Sequence, residues 1–268
     1  MVQVRNVAIG EGRPKICASI TETDRKSIVA AADILLQKRI DIIEWRIDFY
    51  KELNEWSMVE ETLHRVRMSL GDKPLLVTFR TKQEGGNKEI TIEEYRSLLL
   101  QIAQSGYVDM IDVEVFMEIP YTQWDPSVRT SEEAAALLAQ QQWIAQLQQH
   151  VLVVGSYHDF AKTPSVEEMA GRLACIAKAG ADIVKMAVMP QDKQDVIRLM
   201  GTTLEMSSKL TQPLITMSMG KLGSISRIMG EAFNCAATFG SVGQASAPGQ
   251  IVVNRLDEAL DLVHQNYY

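Results

Sequence analysis

From residue 15 to residue 265 the chain alternates, eight times over, between short runs rich in Ile, Val and Leu and longer segments with helical periodicity. The short runs read as strands over 15–20, 40–48, 75–80, 109–116, 151–158, 182–188, 213–219 and 236–241. Helical segments lie between and after them, over 22–38, 54–70, 91–105, 131–149, 165–179, 191–210, 222–234 and 252–265. Thr91 with Glu94, Thr130 with Glu133, and Ser165 with Glu168 fit the capping box at helix starts. Such a βα rhythm predicts an α/β fold, a single (β/α)8 TIM barrel spanning 1–268. The alternative, a doubly wound open sheet, calls for a Gly-rich nucleotide fingerprint after the first strand, and none is present. Ahead of the barrel, residues 1–14 carry Val2-Gln3-Val4 and Val7-Ala8-Ile9, which read as a short N-terminal β-hairpin.

Composition narrows the partners. With 268 residues and 46% hydrophobic content the chain can bury a large core. A net charge of -7 without any Lys/Arg-rich run argues against a nucleic-acid or anionic-membrane partner. Cys17, Cys175 and Cys235 are odd in number and far apart, which speaks against disulfides and a zinc site and fits a reducing compartment. The four histidines show no metal-ligand spacing, and no signal peptide or bilayer-long apolar run is seen. The expectation is a soluble, cytoplasmic protein.

The most informative strand is Ala181-Asp182-Ile183-Val184-Lys185-Met186-Ala187-Val188-Met189-Pro190. Alternation sets Ile183, Lys185 and Ala187 on one face, and Val184, Met186 and Val188 on the other. A covered ammonium is costly unless paired or neutral. Desolvation and nearby cations lower a lysine pKa and make the amine a nucleophile near neutrality. An edge-strand lysine reaching solvent is the competing reading.

The strand ends decide between them. In a barrel, chemistry sits at the C-terminal ends of the strands. Those ends carry Glu44-Trp45-Arg46-Ile47-Asp48, Thr78-Phe79-Arg80, Asp112 with Glu114, Ser156-Tyr157-His158-Asp159, Lys185, and Ser218-Met219-Gly220. Inward-facing Lys185 would meet Arg46, Arg80, His158 and several carboxylates. An amine there attacks a ketone to form an imine, an electron sink that permits elimination or aldol cleavage. His158 is the natural proton shuttle, and Glu84, in the loop Thr81 to Gly86, is the candidate to fix its tautomer. Arg46, Arg80 and Arg227 suggest a carboxylate or phosphate on the substrate. In the loop 240–250, Ser246 and Gln250 are within reach of a ligand.

Together these strings resemble one family, the type I 3-dehydroquinate dehydratases. The resemblance rests on Glu44-Trp45-Arg46-Ile47-Asp48, Thr78-Phe79-Arg80 with Glu84-Gly85-Gly86, and Ser156-Tyr157-His158-Asp159-Phe160 with Lys162-Thr163-Pro164. It continues through Lys185-Met186-Ala187-Val188-Met189-Pro190, Met217-Ser218-Met219-Gly220 with Ser226-Arg227, and Phe239-Gly240-Ser241 with Ser246 to Ile251. The resemblance implies conversion of 3-dehydroquinate to 3-dehydroshikimate through a lysine imine, a shikimate-pathway step. It implies Lys185 as imine former, His158 as general acid/base and Glu84 as its orienting group. It further implies that Ser19, Glu44, Arg46, Arg80, Arg227, Ser246 and Gln250 hold the ring hydroxyls and carboxylate, with Arg227 on the carboxylate. A homodimer without metal or cofactor is implied as well.

One stretch departs from the family pattern. Residues 120–150 form an extended connection and helix after the fourth barrel strand. Gln140 to Gln142 and Gln146 to Gln149 read as an exposed helix face, with Tyr121, Trp124 and Trp143 able to pack it onto the barrel or a partner subunit. Two other functions remain open to the sequence. A class I aldolase acting on a phosphorylated sugar would lean on backbone amides of loop 240–250. A non-catalytic binding barrel would bind ligand without turnover.

Overall fold

Runs dominated by Ile, Val and Leu bury both faces of a parallel sheet, so each strand needs a helix outside and filling side chains inside. The structure is a computed structural model that describes residues 1–117, 131–243 and 245–267. It opens with an antiparallel hairpin of β1 (Val2–Val4) and β2 (Val7–Ile9). The barrel strands are β3 (Lys15–Ile20), β4 (Ile42–Arg46), β5 (Leu75–Thr78), β6 (Met110–Glu114), β7 (Leu152–Asp159), β8 (Ile183–Val188), β9 (Leu214–Ser218) and β10 (Ala237–Ser241). Between them run α1 (Arg25–Leu36), α2 (Trp56–Leu70), α3 (Ile92–Gln104), α4 (Ser131–Leu147), α5 (Val166–Lys178) and α6 (Lys193–Lys209). After β9 come the one-turn helices α7 (Gly220–Gly223) and α8 (Ile225–Ile228). After β10, the two-residue strand β11 (Ile251–Val252) leads into α9 (Val253–Tyr267).

The parallel sheet runs β11-β10-β3-β4-β5-β6-β7-β8-β9. A single bridge between Leu214 and Cys235 closes it, with the Ala236 N–H donating to the Leu214 carbonyl at 2.7 Å. The result is the expected (β/α)8 barrel preceded by the expected hairpin.

Alternation layers the interior. Ile42, Leu76, Met110, Val154 and Ile183 make an apolar floor, on which Val4, Val7 and Ile9 of the hairpin pack. One step up each strand the inward residues turn polar, with Glu44, Thr78, Asp112, Ser156 and Lys185 all buried. Above these lie Arg46, Arg80, Glu114 and His158. Val184, Met186 and Val188 face out into the larger core beneath the helices, as the strand pattern predicts. Gly155 lets α5 approach β7, since a Cβ there would lie 2.5 Å from Ile176 Cγ2 and 2.7 Å from Ala181 Cβ.

Some local expectations need correction. The helix expected over 222–234 is broken into α7, α8 and a 3-10 turn at Met229–Phe233. Ser226 causes the break: its Oγ accepts the Ser218 N–H at 3.0 Å and donates to the Gly223 carbonyl at 2.7 Å, tying the chain back to β9. Thr91 and Glu94 form the full capping box. Ser165 caps α5, but the Glu168 carboxylate turns instead to Arg172, so only half of that box forms. Gln140 is buried, accepting from Arg96 at 3.3 Å, because α4 packs on α3 along that side. Gln142, Gln146, Gln148 and Gln149 do face solvent. Trp143 packs inward, 6.2 Å from the Tyr95 ring. Tyr121, Trp124 and Thr130, and with Thr130 the cap expected with Glu133, lie outside the described residues.

Candidate active site

The C-terminal mouth of the barrel holds about 490 Å³ of open space, bordered by Glu44, Arg46, Arg80, Glu84, His158 and Lys185 on one side. Arg227, Ser246 and Gln250 border the other side, with Met217, Met219 and Phe239 supplying apolar wall. Nine of the ten sequence-selected residues thus share one cavity. Ser19, the tenth, joins it by hydrogen bonds to Ser246 and Glu44.

Lys185 projects from the middle of β8, paired in register with Ser156 of β7 and Ile215 of β9. Its Nζ donates to Asp112 Oδ2 at 2.9 Å and sits 4.8 Å above the Phe239 ring. The other Asp112 oxygen accepts from Arg80 Nη2 at 2.7 Å and from Ser156 Oγ at 2.6 Å. Burial alone would raise the Asp112 carboxyl, but Arg80 and Lys185 outweigh it and hold the group well below the usual carboxylate range.

Arg80 is committed to the protein. Its Nη1 meets Glu114 at 2.7 Å, Ser156 at 3.2 Å and Glu84 at 3.5 Å, besides the contact to Asp112. Burial opposes its charge, yet Asp112 and Glu114 more than compensate and raise its pKa well above the ordinary value. Glu114 in turn accepts the Thr81 N–H and hydroxyl, fastening the loop that carries Glu84 to β6.

His158 ends β7 beside that loop. Glu84 Oε2 lies 2.9 Å from its backbone nitrogen and 2.9 Å from Nδ1. A carboxylate oxygen there makes Nδ1 the protonated nitrogen and leaves the Nε2 lone pair for chemistry. Burial, with the nearby Arg80 and Lys185 charges, holds His158 well below the ordinary histidine value, so the ring stays neutral. Burial and Glu114 push Glu84 up. Gly85 follows with φ of 83°, capping the Lys82–Glu84 turn in the left-handed region. The Phe160 ring lies where a Cβ on Gly85 would be, 2.3 Å from Cε2.

The opposite rim is a hydrogen-bonded chain. Gln250 donates to Ser246 Oγ at 2.9 Å, Ser246 to Ser19 at 3.0 Å, and Ser19 to Glu44, which also accepts from Thr78 at 2.7 Å. Arg46 is held in a fork by Asp48. Arg227 differs from the other two arginines. It is buried and, among the described residues, donates only to neutral acceptors, the Phe239 and Pro248 carbonyls at 3.3 and 3.2 Å and Met217 Sδ at 3.6 Å. Its Nε has no hydrogen-bond partner among the described residues. Burial draws its pKa down to about 10. A buried cation without an acid is a site that an anion completes.

Asp112, Asp48 and Ser156 also belong to the site, although the sequence alone assigns them no role. Their inward parity relative to Lys185 and Arg46 was the signal that pointed to them.

The type I 3-dehydroquinase family model matches residues 16–267. The chain belongs to the type I 3-dehydroquinase family. Its activity is that of a 3-dehydroquinate dehydratase, a hydro-lyase of the shikimate pathway, and a Schiff-base mechanism is characteristic of this type. Relatives named 3-dehydroquinate dehydratase are 41% identical in Listeria welshimeri, over 99% of both chains, and 42% identical in Clostridioides difficile, over 99% of this chain and 98% of the other. The crystal structure of the type I 3-dehydroquinate dehydratase from Clostridium difficile with covalently modified comenic acid superposes with a TM-score of 0.88, at 41% identity over 98% of each chain. The 3-dehydroquinate dehydratase of Geobacillus kaustophilus gives a TM-score of 0.90 at 32% identity, over 100% of this chain and 97% of that one. The carboxyl transferase domain of Rhizobium etli pyruvate carboxylase, 12% identical with a TM-score of 0.66, shares the fold alone.

Proposed function

We propose that Lys185 forms the imine with the substrate ketone, that His158 moves the protons and that Glu84 orients His158. The observation carrying this reading is the junction of a buried lysine amine and a neutral imidazole, with its Nδ1 fixed by Glu84, in one cavity. Lys185 Nζ attacks the carbonyl carbon, and the carbonyl oxygen leaves as water. His158 Nε2 then takes a proton from the carbon next to the imine, and the electron pair flows toward nitrogen. The imidazolium returns its proton to the departing hydroxyl, which leaves as water. Hydrolysis of the remaining imine releases 3-dehydroshikimate and frees the amine.

Arg227, which borders the cavity and has no acid partner among the described residues, holds the substrate carboxylate. Ser19, Glu44, Ser246, Gln250 and Arg46 hold ring hydroxyls. Arg80, whose donors are occupied by carboxylates, sets the charge of the site and shapes its wall rather than gripping the anion. A phosphorylated sugar has weaker support, since the loop after β10 engages the rim through Ser246 and Gln250 side chains.

The whole chain, 1–268, acts as one barrel domain in the cytoplasm and pairs into a homodimer. No described helix is long and apolar enough to cross a membrane. Leu222, Ile225 and Val252 are exposed apolar side chains on α7, α8 and β11 that a second copy would cover. Light scattering tests the dimer.

The deciding experiment adds 3-dehydroquinate and borohydride, then maps the mass increase by peptide. An adduct confined to Lys185, absent from Lys185→Ala, is the expected result. A folded protein that forms no adduct at Lys185 overturns the reading.

A further inference from the structure

Asp112 occupies a place that the binding and proton-transfer roles above leave unexplained. It is wholly buried, with Oδ2 on Lys185 Nζ and Oδ1 on Arg80 and Ser156. Both oxygens are therefore committed to donors from β7, β8 and the segment after β5, and the carboxylate cannot turn without breaking one of them. Such fixed polar groups need no reorganisation when charge develops beside them.

We infer that Asp112 is the resident counter-ion of the protonated imine, holding the nitrogen proton that remains after the ketone oxygen has left. This rests on the reading of Lys185 as the imine-forming residue. The balance is simple. An ammonium and a ketone give an iminium and one water: two hydrogens depart with the oxygen, and the third stays on nitrogen. The nitrogen carries one positive charge before and after, so one pinned carboxylate serves both states. When the neighbouring carbon loses its proton, the electron pair moves onto this nitrogen. Arg80, sharing the opposite oxygen, tempers the carboxylate so that the pair can still arrive.

The surrounding groups keep Asp112 the anion that matters at this nitrogen. Arg80, just past β5, faces it with positive charge, and Glu114, further along β6, is neutralised by the same guanidinium. His158 on β7 is kept neutral by burial, with Glu84 behind it. Cys17 on β3 is pushed well up by burial and so stays a thiol, while Glu44 on β4 is engaged by Ser19 and Thr78. Across neutral and alkaline pH, the carboxylate beside Lys185 is thus constant while the imine nitrogen titrates.

The test uses the full chain, wild type and Asp112→Asn, with 3-dehydroshikimate as the probe, because its conjugated ketone makes protonated and neutral imines differ in absorbance. In the wild type the protonated band should persist from neutral into alkaline pH. In Asp112→Asn it should fade at lower pH, and the alkaline limb of kcat should move acidward by about one unit or more, about a tenfold loss at a fixed alkaline pH. A wild-type band that fades at neutral pH overturns the inference. So does an unchanged kcat profile in a folded Asp112→Asn that still yields the Lys185 borohydride adduct. Where the wild type forms no adduct at Lys185, the imine reading itself falls. If Asp112→Asn loses its circular dichroism, the wild-type titration decides alone.

Discussion

Asp48 grips Arg46 through two parallel hydrogen bonds of 2.8 Å, Nε to Oδ1 and Nη2 to Oδ2. The same buried carboxylate accepts the Asn87 N–H at 3.0 Å and the Arg80 N–H at 3.3 Å. One acid thereby sets a rim guanidinium and the base of the loop that carries Glu84. Asp48→Ala leaves a charge unpaired and two N–H groups unmet, and should destabilise the protein by about 3–5 kcal/mol. Urea unfolding measures it; a loss below about 1 kcal/mol would contradict this account of the loop.

Arg227→Met removes the cation that lacks an acid partner among the described residues. Hydrogen bonds to charged groups contribute about 1.5–3 kcal/mol, so KM should rise roughly ten- to hundredfold, with a smaller change in kcat. Because the guanidinium is buried without a carboxylate, the variant should fold at least as well as the wild type. An unchanged KM would move the substrate carboxylate elsewhere.

For His158 the direction with pH follows from burial. The unfolded imidazole takes up a proton near 6.5, whereas the folded one resists it until well below that value. Between those two values the unfolded chain binds more protons, so stability falls as pH drops below 6.5 and is fully present above it. The acid limb of kcat/KM should likewise lie below 6.5. His158→Ala should lower kcat by about 10²–10⁴-fold and remove that limb, as read from a rate profile against pH.

Gly85→Ala combines two penalties. A left-handed φ of 83° costs a residue with a Cβ roughly 1–2 kcal/mol. The new methyl would also strike the Phe160 ring. Displacing that ring shifts the turn bearing Glu84, so kcat should fall more than thermal stability alone explains. Comparing kcat with the melting temperature against Phe160→Leu, which relieves the clash, separates the two effects.

The barrel was legible because strand alternation and helix periodicity need only local sequence. Inward parity alone brings Lys185, Glu44, Arg46 and His158 to one mouth. What stayed hidden was partner choice. Arg46, Arg80 and Arg227 look alike in a sequence, yet Arg46 meets Asp48 two residues on, Arg80 meets Asp112 and Glu114 across strands, and Arg227 meets no acid among the described residues. Asp112 lies 73 residues from Lys185, and nothing local ties them. The break within 222–234 was equally hidden, because Ser226 reaches back across space to Ser218. Gln140, expected on an exposed face, is buried for the same reason: α3 covers it, and helical periodicity carries no information about neighbouring elements.

The N-terminal hairpin has a consequence for traffic. Val4, Val7 and Ile9 seal the floor of the barrel and pack against the apolar layer above them. Among the described residues, substrate, both waters and product therefore share the C-terminal mouth as a doorway. The ring cannot be threaded through; each turnover must empty the vessel before refilling it. Product should accordingly compete with substrate for the same vacant chamber, giving inhibition that excess 3-dehydroquinate fully overcomes.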